Sequence, residues 1–122
     1  MNKQETYDKV ASHLLTQRAK SLHSIGKYES VKGCAYRGDE GRTCAVGCLI
    51  ADKYYDPFLE EKNIRSHSVQ IALELSGVDL NLVNLLAKLQ LVHDDCPVED
   101  WETRLRAIAD SEGLTFKGVN HE

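Results

Sequence analysis

Long apolar runs, a secretory leader and familiar cofactor loops are all missing from this chain. No stretch approaches the roughly 20 apolar residues that a bilayer-crossing helix needs, so no membrane contact is expected. The opening Met1-Asn-Lys-Gln-Glu-Thr-Tyr-Asp8 lacks the charged-then-apolar layout of a secretory signal. The expectation is a cytoplasmic protein whose four cysteines stay reduced. The close Cys-x-x-Cys knuckle of most structural zinc modules is absent, as is the Gly-rich loop ending in Lys-Ser/Thr that cradles phosphates. There is no internal repeat, low-complexity segment or linker. A net charge of -4 argues against a general nucleic-acid binder.

What is present reads as one globular domain over residues 1–122. Its 42% apolar and 28% charged residues are close to globular averages, and 122 residues can bury a core without disulfides or a metal. The charge is divided unevenly, +3 over residues 1–53 and -7 over residues 54–122. An acidic C-terminal half of this kind can steer a basic partner.

Apolar periodicity predicts a mainly α fold, a compact bundle of about five helices. The first spans residues 4–22, where Tyr7, Val10, Ala11, Leu14, Leu15 and Leu22 form one stripe. Gly26 and Gly33 then bracket a polar connection. Gly38-Asp-Glu-Gly41 suits a tight reversal, so a small β-hairpin is expected around residues 34–43. Thr43 would cap a helix over 44–54, in which Gly47 permits close packing. Asp56-Pro57 opens a short turn, and Ser66 or Ser68 opens a helix that Gly77 closes. Asp79 caps the most apolar helix, whose Leu82, Val83, Leu85, Leu86, Leu89 and Val92 suggest burial around most of its circumference. Cys96-Pro97 starts the last helix, with Glu99, Asp100 and Glu102 near its positive end, and the tail 115–122 is expected to be loosely held.

The segment Cys34–Cys48 gathers three of the four cysteines, three glycines and a Tyr-Arg pair. Cys34, Cys44, Cys48, His93 and Cys96 could supply zinc ligands, the alternative being small buried thiols that bind no cofactor. A thiolate at Cys44 would be favoured by a helix start, although no histidine is placed beside it by sequence. Arg37 and Arg42 flank the turn and could hold an anion with Lys27 and Lys32, unless Asp39 and Glu40 neutralise them. His93-Asp94-Asp95 reads as a polar helix end or as a fragment of a hydrolytic site. Candidate ligand or partner contacts are therefore Tyr36, Arg37, Arg42, His93, Asp94, Glu99, Asp100 and Glu102, with no catalytic residue assigned.

Val10-Ala-x-His-Leu-Leu-Thr-Gln17, Cys34-x-Tyr-Arg-Gly38, Cys44-Ala-Val-Gly-Cys-Leu-Ile50, Tyr55-Asp-Pro57, Leu89-Gln-x-x-His-Asp94 and Trp101-x-x-x-Leu105 followed by Ile108-Ala109 span most of the chain. With them the sequence resembles a group of small proteins encoded by bacteriophages and by prophages of their bacterial hosts. The resemblance implies a phage context and carries over no activity. The leading expectation is a non-enzymatic accessory protein, monomeric or homodimeric, that binds and modulates a host protein in host takeover or anti-defence. The alternatives are a small zinc- or ligand-binding domain or enzyme centred on Cys34, Cys44 and His93, and a dimerising structural module exposing apolar residues of Leu82–Val92.

Overall fold

The structure, a computed structural model, describes residues 1–25 and 28–118, and only the backbone of 25 and 28–32. Gly26, Lys27, His121 and the side chain of Lys32 fall outside the described residues, so the proposed lysine contribution to an anion site does too. The molecule is mainly helical, the described residues forming four α-helices in place of the expected five and a two-stranded antiparallel sheet. The helices are α1 (Lys3–Gln17), α2 (His67–Leu75), α3 (Val83–Asp95) and α4 (Trp101–Glu112). No helix among the described residues is long and apolar enough to cross a membrane.

Helix α1 starts on a capping box: the Asn2 side chain accepts from the Glu5 amide while the Glu5 carboxylate accepts from the Asn2 amide. It ends at Gln17 rather than near residue 22, with Arg18 in the left-handed region at φ 47°. Its stripe Tyr7, Val10, Ala11, Leu14 and Leu15 is buried as the periodicity requires. The Tyr7 hydroxyl donates to the Leu105 carbonyl at 2.6 Å, tying α1 to α4. Trp101, fully buried at the start of α4, donates its indole N–H to the Cys96 carbonyl. Asp79 caps a 3-10 turn that leads into α3. α3 is amphipathic rather than buried all round: Leu85, Leu86, Leu89 and Val92 face the core, whereas Leu91 is 55% exposed.

Two expectations fail in the middle of the chain. The hairpin lies upstream of residues 34–43, formed by β1 (Leu22–Ile25) and β2 (Tyr28–Cys34), with Leu22 opposite Cys34. Residues 34–43 instead make one bridge, Arg37 to Thr43, around a 3-10 turn at Asp39–Gly41. The reversal is fixed from α1, because the Gln17 side-chain amide pairs with both the N–H and the C=O of Thr43. Thr43 therefore caps no helix; its hydroxyl meets His13 at 2.8 Å.

The helix expected over 44–54 is replaced by 3-10 turns at Gly47–Leu49 and Asp52–Tyr54. Backbone amides there are taken by side chains from elsewhere: Val46 N–H by Gln90 and Ala51 N–H by Ser76. Gly47 does permit the close approach expected of it, since a Cβ there would lie 2.0 Å from the Tyr36 carbonyl oxygen. The tail is held as far as Lys117. Thr115 exchanges two hydrogen bonds with Gln4, Arg106 lies over Phe116, and Lys117 pairs with Asp8.

Candidate functional site

Three segments enclose a cavity of about 410 Å³. The stretch after β2 contributes Cys34, Ala35, Tyr36 and Cys44; the exposed side of α3 contributes Ala87, Gln90, Leu91 and Asp94. The third wall is a strap, Glu60 to Ile64, between a 3-10 turn and α2. Ala35, Ile64, Ala87, Leu91 and the Tyr36 ring make most of the lining apolar. A few converging polar groups on such a lining are the usual composition of a small-ligand site.

The polar groups centre on Asp94. Its Oδ1 accepts from Nδ1 of His93 at 2.7 Å and from the Gln90 amide at 2.8 Å. Gln90 stands one helical turn before Asp94, and its oxygen takes the Val46 N–H, so one side chain locks α3 to the Cys44–Cys48 loop. His93 is fully buried, beside Trp101, and its Nε2 accepts from the Ser21 backbone N–H at 2.8 Å. That bond fixes the tautomer: Nε2 is bare, so the ring proton sits on Nδ1 and is donated to Asp94. Burial pushes the Asp94 carboxyl up, but hydrogen bonds from His93, Gln90 and Cys34 outweigh it and hold the group below its ordinary 3.8. The His93 ring, bare at Nε2, and the Gln90 amide donate as neutral groups. Lys20, the nearby cation, donates to the backbone carbonyl of Asp94 at 3.1 Å, not to the carboxylate. The site thus displays a negative charge that no lysine or arginine of the described residues neutralises directly.

Three of the thiols, Cys34, Cys44 and Cys48, are not nucleophiles as placed. Burial, then the Asp94 charge and hydrogen bond, push Cys34 up to about 11. Cys44 is pushed up to about 12 by burial, against the opposing Gly47 N–H. This corrects the expected helix-start activation, which fails because no α-helix begins there. Cys48 is likewise pushed to about 12 by burial, and its S–H donates to the Ala45 carbonyl.

Of the expected zinc ligands, the fold groups Cys34 and His93 with Asp94, their ligating atoms within 4.8 Å of one another. Cys44, Cys48 and Cys96 are not part of that group. Cysteine, histidine and aspartate are acceptable zinc donors. A metal at Nδ1, however, would move the ring proton to Nε2, directly against the Ser21 N–H. The His93 hydrogen bonds fit a carboxylate-positioning role better than metal ligation.

Tyr36 and Arg37, expected to work together, face different ways. The Tyr36 ring lines the cavity and its hydroxyl donates to the Lys62 carbonyl, while burial raises its pKa. Arg37 lies on the Tyr55 ring, donates to the Ile50 carbonyl at 3.0 Å and pairs with Asp52 at 2.8 Å. Arg42 pairs with Glu40 at 3.1 Å, so the arginine turn is neutralised within the chain. Glu99, Asp100 and Glu102 are exposed at the head of α4, away from the cavity lining, with Glu102 3.6 Å from Arg106.

Two site residues were missed by sequence reasoning. Gln90 carried a signal, its four-residue spacing from Asp94. Glu60 carried none. Its carboxylate accepts from the backbone N–H of Tyr36 at 2.8 Å and of Arg37 at 3.0 Å, and from the Tyr55 hydroxyl at 2.6 Å. Those three bonds hold the strap shut. Burial first, then the Glu60 contact, push the Tyr55 phenol up to about 12.

No protein-family model, no curated protein and no solved structure matches the chain.

Proposed function

We propose that this protein works by binding, and that its cavity receives a positively charged group, an ammonium or guanidinium with an apolar stem. The observation that carries the reading is the Asp94 carboxylate, oriented by the His93 ring and the Gln90 amide at a largely apolar cavity. A fixed carboxylate beside low-dielectric walls attracts a cation more strongly than the same group in water. Glu61, exposed on the strap, adds to the negative field at the rim, while the ammonium of Lys62 on the same strap lies over the Phe58 ring, 4.3 Å from its centre. Raised thiol pKa values favour binding over covalent chemistry: Cys34 stands beside the Asp94 carboxylate, which is held below its ordinary value and is too weak a base to activate a thiol pushed up to about 11.

The test compares three near-isosteric probes: phenethylammonium, phenethyl alcohol and phenylpropionate. Amide NMR shifts at Cys34–Arg37 and Ala87–Asp94 are expected with the ammonium and weak or absent with the anion. A preference for the anion would overturn the reading.

The phage accessory role acting on a host protein stands as a second reading, favoured by the exposed Glu99, Asp100 and Glu102. Affinity capture from a bacterial host lysate should then yield one stoichiometric protein, lost on reversing those three charges. Capture indifferent to them removes the acidic-edge version.

A further inference from the structure

A second depression continues along α3 from the cavity already described. It has a volume of about 610 Å³, and Ala87 and Leu91 belong to both. Its charge is opposite. Lys3, Arg65 and Lys88 surround it, with Glu112 as the single acid. Glu112 accepts from Lys3 at 3.0 Å and from Lys88 at 3.1 Å, so two ammoniums share one carboxylate. Arg65 is exposed and donates to the neutral Asn84 side chain, leaving its charge unpaired among the described residues. The two depressions therefore form one groove, positive toward the start of α3 and negative toward its end.

This polarity runs against helix stability. Acids are favourable near a helix N-terminus and unfavourable at the C-terminus. Here Asp94 and Asp95 occupy the last turn of α3 while the cations gather toward its beginning, so the side chains add to the macrodipole. Between the charged ends, Leu91 presents an apolar surface 55% exposed. A surface with opposite charges at its ends and an apolar middle is complementary to a partner of the reverse pattern.

We infer that the exposed face of α3 is a two-site groove for an extended peptide segment bearing one basic and one acidic residue. The basic side chain enters beside Asp94, and the acidic one lies against Arg65 and Lys88. The inference rests on the cation reading of the cavity and adds the partner's chemical class. Spacing follows from geometry. Lys88 and Asp94 are six residues apart, about 9 Å along the helix axis and a third of a turn around it, roughly 13 Å at the helix surface. An extended chain rises about 3.3 Å per residue, so the two charges stand about three or four positions apart. An apolar residue between them would meet Leu91.

The test is selection of a displayed random heptapeptide library on the wild-type protein, on Asp94→Asn and on the double variant Arg65→Gln/Lys88→Gln. Arg65 and Lys88 are exposed and outside the core, so the double variant is expected to fold, which circular dichroism checks. The wild type should enrich peptides with a basic and an acidic residue about three or four positions apart. The double variant should keep the basic preference and lose the acidic one; Asp94→Asn should do the reverse. A synthesised wild-type hit should bind the double variant about fivefold more weakly at low salt, the gap narrowing as salt rises. Basic enrichment with no acidic partner would overturn the two-site groove and leave the cavity reading standing. Selection indifferent to basic residues would overturn both.

Discussion

At the residue scale, the decisive positions are those whose partners come from distant parts of the chain. Gly47 is one. Its backbone angle is unremarkable, and the demand for glycine comes from the Tyr36 carbonyl, 2.0 Å from where a Cβ would sit. Gly47→Ala should cost about 1–3 kcal/mol through forced displacement of the chain after β2, read as a lowered urea midpoint. The need for a small residue was legible in Cys-Ala-Val-Gly-Cys; the helix assigned to it was not. Propensity cannot register that Gln90 and Ser76 take amides of this segment. His93-Asp94 was visible as a polar pair, while the tautomer that aims it depends on the Ser21 amide, 72 residues away in sequence.

Cys44 gives a prediction at the same scale. Its folded-state pKa is raised by burial from the ordinary 9.0 to about 12. A raised folded value contributes stability below the unfolded value, lost as pH climbs toward the folded one. The wild type should therefore lose stability between about pH 9 and pH 12, and Cys44→Ala should show a shallower decline over that window in thermal melts.

At the scale of elements, the strap is the part most open to perturbation. Leu59 and Ile64 anchor it in the core, and between them the Glu60 carboxylate is the main polar tie. Glu61 sits between those anchors in the left-handed region, at φ 67°. Hydrogen bonds to a charged group are worth about 1.5–3 kcal/mol each, so losing Glu60 should shift local opening by at least tenfold. Cys44 lies in the cavity that the strap covers and is 1% exposed. Glu60→Ala should accelerate alkylation of Cys44, followed by mass spectrometry with Cys96 as the internal reference. Unchanged relative labelling would mean that the strap does not gate the cavity. Periodicity revealed α1, α2, α3 and α4 because their apolar faces meet a shared core. It could not reveal the strap, whose path is set by side-chain bonds to the backbone of Tyr36 and Arg37.

At the scale of the whole molecule, the sequence-level charge asymmetry becomes a local pattern. The halves carry +3 and -7, yet the groove along α3 sets Asp94 against Arg65 and Lys88 within a few turns. Asp94 also couples this surface to folding. Its folded-state pKa is lowered, so the stability it contributes is present above the unfolded value near 3.9 and lost as pH falls through the folded one. The urea-midpoint gap between wild type and Asp94→Asn should accordingly narrow below about pH 4.

Calorimetric titration of phenethylammonium into wild type and Asp94→Asn, at low and high salt near pH 7, tests the central claim most directly. The wild type should bind about tenfold more tightly at low salt, roughly 1.4 kcal/mol, with the difference shrinking as salt is raised. Equal affinity for the two proteins would contradict the assignment of the Asp94 cavity as a cation site.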